Sequence, residues 1–269
     1  REEAGAPGFT ESSDHSWMWA IIIAETDRVV TSGIVNFPSH MGSLNYGYAS
    51  VGSWRMINKK LYNEIPDTDV RKGWWLDANK HSDNLNEAQV AQATKYGCPA
   101  YTQMKYGPYK GVMAQSTNAS DIPLMRVEEM YFIEAEAVAA SQNVAAGVQL
   151  LNDFMKRYRQ PDYNCKASDL RTFQLEVLKQ MRIEFWGEGT AFPTAKRLKP
   201  DVIQNYEGTN YIKDLFKINC KGVKPNWTLV IPKTEVDSNI ALQGKNNPDP
   251  SGAIPTRPTP IGEYAPGNN

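Results

Sequence analysis

The 269-residue chain has only three cysteines and three histidines. Cys98, Cys165 and Cys220 form no CxxC pair, and His15, His40 and His81 stand at no metal-ligand spacing. An odd, sparse cysteine count argues against a disulfide framework while leaving room for one bridge, and no cofactor or metal site is expected. The longest wholly apolar stretch is the short run from Trp19 to Ala24, far below the ~20 residues that span a bilayer. Neither charge sign dominates: 29 Lys and Arg face 30 acids, for a net charge of −1. That balance gives no electrostatic reason to expect nucleic acid or an acidic membrane face as partner. GxSxG, HExxH, Walker A and GxGxxG are all missing, which removes the common hydrolase, metalloprotease and nucleotide-binding readings. The first residues carry no charged and apolar leader and no lipidation cysteine.

Aromatics, glycine and proline are plentiful, and they are unevenly spread. An apolar share of 41% and a mean hydropathy of −0.52 describe a soluble globular chain long enough to bury a core. Three regions follow from the pattern: an irregular aromatic front (1–118), a helical core (119–190) and a loop-rich tail (191–269). The front is dense in Trp, Tyr, Gly and Asn. It suggests strands near Met18 to Glu25 and Gly73 to Asp77, and short helices near Ser53 to Asn63 and Asn86 to Ala93. In the core, Leu124, Val127, Met130, Tyr131, Ile133, Ala137 and Val138 recur at helical spacing, with Asp121 as cap and Pro123 in the first turn. Val148, Leu151, Phe154, Met155 and Tyr158 continue as a second stripe ending before Pro161. The two predict an antiparallel hairpin of tetratricopeptide-like length, ~34 residues. A third helix is expected from a Ser168 cap to Glu188, burying Leu170, Phe173, Val177, Leu178, Met181 and Phe185, with Gly187 and Gly189 at its end. In the tail a short strand after Pro225 and an IPxxE turn are expected, with extended wrapping or disorder beyond Gln243.

Three segments carry a more specific signal through their order. They are PLMRVEEMYFIEAE from Pro123 to Glu136, MRIEFWGEG from Met181 to Gly189, and WTLVIPKTEVDSN from Trp227 to Asn239. The ordered trio resembles the C-terminal half of the SusD/RagB family of nutrient-binding outer-membrane lipoproteins. Leu124 to Arg126, Glu134, Glu136, Arg182, Glu184, Glu188, Gly189, Ile231, Pro232, Glu235 and Asn239 match its pattern. Gln180, Met181, Ala191 and Thr194 stand where the family commonly has an acidic–arginine pair, an Arg and an Asp.

The resemblance implies a mainly α, SusD-like fold of tetratricopeptide-type hairpins, with an aromatic, loop-rich excursion holding a few short strands. It implies a non-catalytic protein of a Bacteroidetes-type polysaccharide-utilization system. Such a protein sits lipid-anchored on the cell outer membrane, binds an oligosaccharide or peptide, and delivers it to a SusC-like TonB-dependent transporter. Family members normally carry a lipobox and a helical N-terminal half, so the chain is expected to be the C-terminal part of a longer protein, with the anchor outside it.

For the binding surface the aromatics of the front are the leading candidates. Flat rings stack on sugar faces or pack peptide side chains at little entropic cost. Trp54, Trp74, Trp75, Tyr101 and Tyr106 are the candidate ligand-binding residues, with Asn84, Asn86, Gln89, Gln92 and Gln103 near enough in sequence to meet hydroxyls. Trp74 and Trp75 are adjacent, so on a strand only one could face a given side. Trp17, Trp19, Trp186 and Trp227 sit inside regular pattern and are expected in the core. Glu134, Glu136, Glu184 and Glu188 would be the carboxylates of a glycan-processing enzyme, but with Arg126 and Arg182 close by they read as salt bridges on charged helix faces. Asp67, Asp69, Asp77 and Asp83 offer calcium-type oxygens without an EF-hand spacing. A protein-interaction scaffold remains a further reading, and it predicts that the aromatic front is buried.

Overall fold

A computed structural model describes residues 8–33 and 36–267. The chain divides into two compact units, Arg1–Ala191 and Phe192–Asn269. Among the described residues the α-helices of the first unit are α1 (Arg28–Thr31), α2 (Phe37–Met41), α3 (Lys59–Asn63), α4 (Glu87–Lys95), α5 (Val127–Ser141), α6 (Val144–Tyr158) and α7 (Leu170–Glu184). Two strands, β1 (Trp17–Ile21) and β2 (Ile122–Arg126), pair antiparallel with Trp17 opposite Arg126 and Ile21 opposite Ile122. The fold is mainly helical with few short strands, as the sequence implies.

Helices α5, α6 and α7 pack around one core of Phe132, Phe154, Met155, Phe173, Val177 and Phe185. Asn143 Oδ1 accepts the Ala146 N–H at 2.9 Å, and Asp169, one residue beyond the expected Ser168, accepts from Thr172 at 2.9 Å. Gly147 sets the closeness of α5 and α6, since a Cβ there would lie 2.5 Å from the Ala135 carbonyl oxygen and 2.5 Å from the Ala139 Cβ. Gly187 (φ 82°) and Gly189 (φ 89°) turn the chain in the left-handed region after α7, as expected.

Three expectations about the first helix are corrected. Residues 122–126 form β2, and the helix starts at Val127. Hydrogen bonding to β1, a partner far away in sequence, overrides local helical preference, and a two-stranded sheet leaves room for Pro123. Asp121 accepts from the backbone N–H groups of Ser12 and Ile23 at 2.9 Å and does not cap the helix. The apolar stripe faces outward as well: Leu124, Val127, Tyr131 and Ile133 are exposed, while Glu128, Phe132, Ala135 and Ala139 are buried. The glutamates of α5, at Glu128, Glu129, Glu134 and Glu136, are spread around the helix axis among the apolar residues, so periodicity alone cannot select its inner face.

The front has cores of its own. Ile57, Leu61, Tyr62, Ile65, Trp74, Trp75 and Tyr101 pack against Ile183 of α7, and Leu44, Leu76, Ala93, Cys98 and Met104 form a second cluster. Its backbone is tied by isolated bridges such as Met56 to Thr102 and Trp75 to Gln103. The expected strand at Gly73 to Asp77 is instead a 3-10 turn, Val70–Trp74, that becomes extended at Trp75. The change of dihedral between Trp74 and Trp75 lets both rings point inward, with exposures of 1% and 0% and ring centroids 6.0 Å apart. The helix expected from Ser53 forms only at Lys59–Asn63, after the Asn58 cap, because residues 55–57 are drawn into pairing with 101–103.

Trp19 is 63% exposed on β1, against the expectation of a core position; the two-stranded sheet leaves it uncovered among the described residues. His40 lies in α2, stacked on Tyr48 at 4.6 Å. All three thiols are buried and free.

The second unit contains α8 (Ala191–Leu198), which begins at the boundary, and α9 (Lys233–Ser238). Asn219 organises it: its Oδ1 accepts from the Gln204 and Asn205 N–H groups at 2.8 Å, and its Nδ2 donates to the Asn205 carbonyl at 2.9 Å. The stretch beyond Gln243 wraps back, with Thr259 donating to Lys217 and Ala265 to Asn219 through the backbone. Among the described residues no strand follows Pro225. Residues 225–227 make a 3-10 turn and Leu229 is 75% exposed, because no described segment pairs with that backbone as a ladder. No helix among the described residues is long and apolar enough to cross a membrane.

Candidate functional site

The two glutamates most open to a catalytic reading lie at the centre of the first unit. Glu184 is fully buried. It receives Arg159 Nε at 2.8 Å, Arg126 Nη1 at 3.2 Å and Arg71 Nη1 at 3.3 Å. Glu188 takes Arg126 Nε at 2.8 Å and the Lys105 ammonium. Glu128 bridges Arg126 at 3.0 Å and Arg159 at 2.9 Å, and Asp69 holds Arg71 at 2.6 Å. These are ion pairs, as expected, but they are buried rather than spread over a charged helix surface. The correction follows from β2, which turns Arg126 inward, and from Arg71 and Arg159, two partners that sequence spacing did not reveal.

Burial alone would raise the Glu184 pKa, yet Arg159, Arg126 and Arg71 together hold it well below the usual carboxylate range. A carboxyl held ionised in this way cannot act as a general acid. Burial lowers Lys105 to about 8 against the opposing pull of Glu188. Lys105 Nζ donates to the carbonyls of Glu184 at 2.8 Å and Trp186 at 3.2 Å. The charges of the cluster are matched internally, with Glu128 Oε2 held 3.0 Å from Arg126 Nη1 as an ion pair though without a hydrogen bond, so the cluster serves structure.

An open cleft of about 440 Å3 lies beside this cluster and shares Asp69 with it. The end of α3 supplies Tyr62, the 3-10 turn supplies Lys72 and Gly73, and the following loop supplies Trp75, Asp77, His81, Asp83 and Asn84. Tyr101 closes the set. Tyr62 and Tyr101 meet edge to face at 5.2 Å, and Lys72 Nζ stands 5.4 Å from the Tyr62 ring centre. Burial, with Asp77, Tyr101, Asp67 and Asp83 nearby, pushes the Tyr62 hydroxyl up to about 12, so it remains a hydrogen-bond donor at neutral pH.

Local chemistry shapes the cleft wall. Asp77 Oδ1 accepts the N–H groups of Asn79 at 2.7 Å and His81 at 2.8 Å, closing the loop, and Ser82 Oγ donates to the Gly73 carbonyl at 2.6 Å. Gly73 is required by the close approach of Asn84, whose side chain would lie 2.3 Å from a Cβ at residue 73. Tyr101 is held at φ 68°, a left-handed conformation unfavourable for an aromatic residue, by hydrogen bonds to Leu76 and Ile57. Such strain accumulates where a ligand or a switch requires it. Two buried donors facing no acceptor, Trp75 Nε1 and Asn84 Nδ2, belong to residues of this lining.

Of the five candidate aromatics, the fold brings Trp75 and Tyr101 into the cleft. Trp74 meets Phe9 edge to face at 5.7 Å and lines a separate cavity of about 370 Å3. Tyr106 is buried between Phe9 and Phe37. Trp54 is half-buried against the cluster of Leu44 and Leu76. Among the expected amide donors, Asn84 reaches the cleft, Asn86 and Gln89 are consumed in the capping box of α4, and Gln103 is buried on the Met41 carbonyl. Tyr62 escaped the sequence reading, because a tyrosine in a five-residue helix gives no periodic signal. All four aspartates considered for calcium line the cleft, but no group of three acids, histidines or cysteines among the described residues is arranged to hold a metal ion.

A larger cavity, about 640 Å3, lies by Gln160, Tyr163, Glu176 and Gln180. Its polar side chains are paired with one another, Tyr163 to Glu176 at 2.8 Å and Gln180 to Glu176 at 2.9 Å. Size therefore favours that cavity, and unmet hydrogen-bonding capacity favours the smaller cleft. The second criterion is the one that speaks of a ligand.

The fold and motifs define a class. The family model described as SusD family matches residues 76–248, more than half of the sequence, and the chain belongs to that family. A SusD superfamily protein from Bacteroides thetaiotaomicron superposes with a TM-score of 0.61 at 20% identity, covering 86% of this chain and 49% of its own. One from Bacteroides vulgatus gives 0.58 at 19% identity, over 87% of this chain and 46% of its own. A SusD-like carbohydrate binding protein from Bacteroides vulgatus gives 0.52 at 20% identity, covering 76% and 38%. At these identities the likeness is one of fold. The chain spans less than half the length of these relatives. No curated protein matches it.

Proposed function

We propose that this chain carries the ligand cleft of a non-catalytic SusD-type receptor at the outer-membrane surface, one that captures an oligosaccharide and passes it to a SusC-like TonB-dependent transporter. The observation that carries the reading is the cleft itself. An aromatic wall of Tyr62 and Tyr101, with the wholly buried Trp75 beside them, is rimmed by Asp77, Asp83, Asn84 and Lys72. Aromatic surface with a few convergent polar groups is how proteins hold pyranose rings. Family membership and the carbohydrate binding relative support it. The absence of an unengaged carboxyl pair in the ionic cluster weighs against hydrolysis. Membrane attachment in this reading comes from a lipid anchor elsewhere in the protein.

A titration of the chain with plant, host and microbial oligosaccharides and mixed peptides, followed by tryptophan fluorescence and reducing-sugar release together, tests the proposal. Saturable quenching without product is expected, and it should be lost in Trp75→Phe, which removes the indole donor while keeping a ring. Product release would overturn the non-catalytic reading. The second reading, a helical scaffold for another protein, is favoured by the burial of Trp74, Trp75 and Tyr106. Silence across the whole saccharide and peptide panel would select it.

A further inference from the structure

The first unit carries an exposed apolar strip apart from the cleft, and the backbone shows it to be continuous. Trp19 stands opposite Met125 in the β1–β2 pairing, so the two side chains share one face of the sheet. Val127 follows Met125 at the strand spacing of two, and Tyr131 follows Val127 by one turn of α5. All four are exposed, as are their chain neighbours Met18 and Leu124. Beside this row Ile133, Ala137 and Ala140 are exposed along α5 at four- and three-residue spacing, a ridge of the kind another helix seats against.

The strip ends in a pocket. The cavity of about 370 Å3 lined by Trp74 also has Val127, Tyr131, Phe9, Phe154 and Tyr158 in its wall. The Phe154 ring centre lies 5.0 Å from that of Tyr131 and 5.4 Å from that of Tyr158. Arg126 and Arg159, which line it too, are held by Glu184, and Glu128 lies against both. What the pocket offers an occupant is aromatic surface, the setting for one bulky apolar anchor.

Charge around the strip is mostly of one sign. Residues 8–27 hold Glu11, Asp14, Glu25 and Asp27 and no Lys or Arg. Residues 121–141 hold five acids against Arg126 alone, which is buried. Glu134 extends the Val127–Tyr131 row by a further turn, and Asp14 lines the pocket. The exception is Arg157 at the pocket end, 5.1 Å from the Tyr158 ring centre. Aliphatic Met18, Leu124 and Val127 give a sugar no hydrogen bonds, and the acids repel an anionic lipid surface. A second copy seated on the same patch would bring those acids against themselves.

We propose that the strip docks a partner's amphipathic helix, with its apolar side along Trp19, Met125, Val127 and Tyr131, one bulky side chain in the pocket, and Lys or Arg facing Glu134 and Asp14. The test titrates the whole chain with two synthetic helices of equal length, one of leucine and lysine and one of leucine and glutamate, by calorimetry and tryptophan fluorescence. The lysine helix should bind about ten-fold more tightly, with a margin that shrinks as salt is added, and should shift tryptophan emission to the blue. Trp19→Ala should remove that shift, and Trp19→Ala and Tyr131→Ala should each weaken binding about ten-fold while keeping native circular dichroism. Glu134→Lys, at an exposed side chain, should cut the charge preference about three-fold.

Equal affinity for the two helices overturns the proposal, and so does a lysine helix that binds both alanine variants as tightly as the parent. Self-association in ultracentrifugation that Trp19→Ala abolishes would give the strip to a second copy and overturn it as well. If neither helix binds, the strip is no helix-docking surface. The cleft stands or falls by its own saccharide titration.

Discussion

The ionic cluster around Glu184 and the cleft beside Tyr62 and Tyr101 meet at one residue, Asp69, and treat polar groups in opposite ways. In the cluster, Arg71, Arg126, Arg159 and Lys105 answer Asp69, Glu128, Glu184 and Glu188, all within buried or nearly buried surroundings. In the cleft, carboxylates outnumber cations, a tyrosine is held in a left-handed conformation, and two buried donors have no acceptor. The motif residues Arg126, Glu184 and Glu188 belong to the first region, and the ligand reading belongs to the second. A sequence motif that identifies a family thus marks the part that holds the fold together, because those positions depend on one another for charge balance.

The contrast breaks most sharply at Glu184. Glu184→Gln leaves three guanidiniums facing a neutral amide and should cost about 3–5 kcal/mol, enough to abolish the native state in a marginal fold. Urea denaturation followed by circular dichroism checks it, and a loss below ~1 kcal/mol would mean that the cluster is not a structural keystone. Gly147→Val tests the helical packing that supports the cluster. With Ala135 and Ala139 in the way, a loss of about 1–3 kcal/mol is expected in the same measurement.

Lys105 sharpens the comparison through pH. Its folded pKa is depressed to about 8 by burial, whereas in the unfolded chain it returns to the usual lysine value near ~10.4. Between these values the unfolded state binds more protons, so this group makes the fold more stable as pH rises, by at most about 1.4 kcal/mol per pH unit. Below about pH 8 the lysine is protonated in both states and its contribution becomes flat. Subtracting the Lys105→Met stability profile from that of the parent isolates the term, and a difference independent of pH from 7 to 10 refutes it.

Cleft substitutions should be milder for stability and stronger for binding. Trp75→Phe should change stability by no more than about 1.5 kcal/mol while removing saccharide-dependent fluorescence quenching. Loss of stability without loss of quenching would return Trp75 to a purely structural role. The smallest effect is expected at Lys80, exposed in the loop behind the cleft at φ 64°. Lys80→Gly relieves that conformation and should raise stability by up to about 1 kcal/mol in thermal unfolding.

Much of the helical core was legible in the sequence. α6 and α7 carry one apolar stripe each and end near Pro161 and the Gly187–Gly189 pair, whereas their caps fall on Asn143, which the stripe does not single out, and on Asp169, one residue past Ser168. α5 was legible as a helix but not in its orientation, since its four glutamates are spread around the axis and leave no single polar face to read. The strand β2 was hidden because its partner, β1, lies about a hundred residues earlier, and window-based patterns cannot see such a partner. The candidate site was legible as a composition, with aromatics, amides and aspartates crowded between residues 54 and 106, but not as a place. Capping consumed Asn86 and Gln89, burial took Tyr106, and a short helix brought in Tyr62.

The sequence by itself determined the family, the helical character and, within a few residues, the ends of α6 and α7, because glycines, prolines and spacing act over a few residues and leave a local record. Only the tertiary structure decided which carboxylates would be neutralised and which would face solvent. That decision turns on Arg71, Arg126 and Arg159 converging on Glu184 across separations of 113, 58 and 25 residues. Charge balance in a low-dielectric interior is a property of the assembled neighbourhood, so no stretch of chain read alone could have contained it.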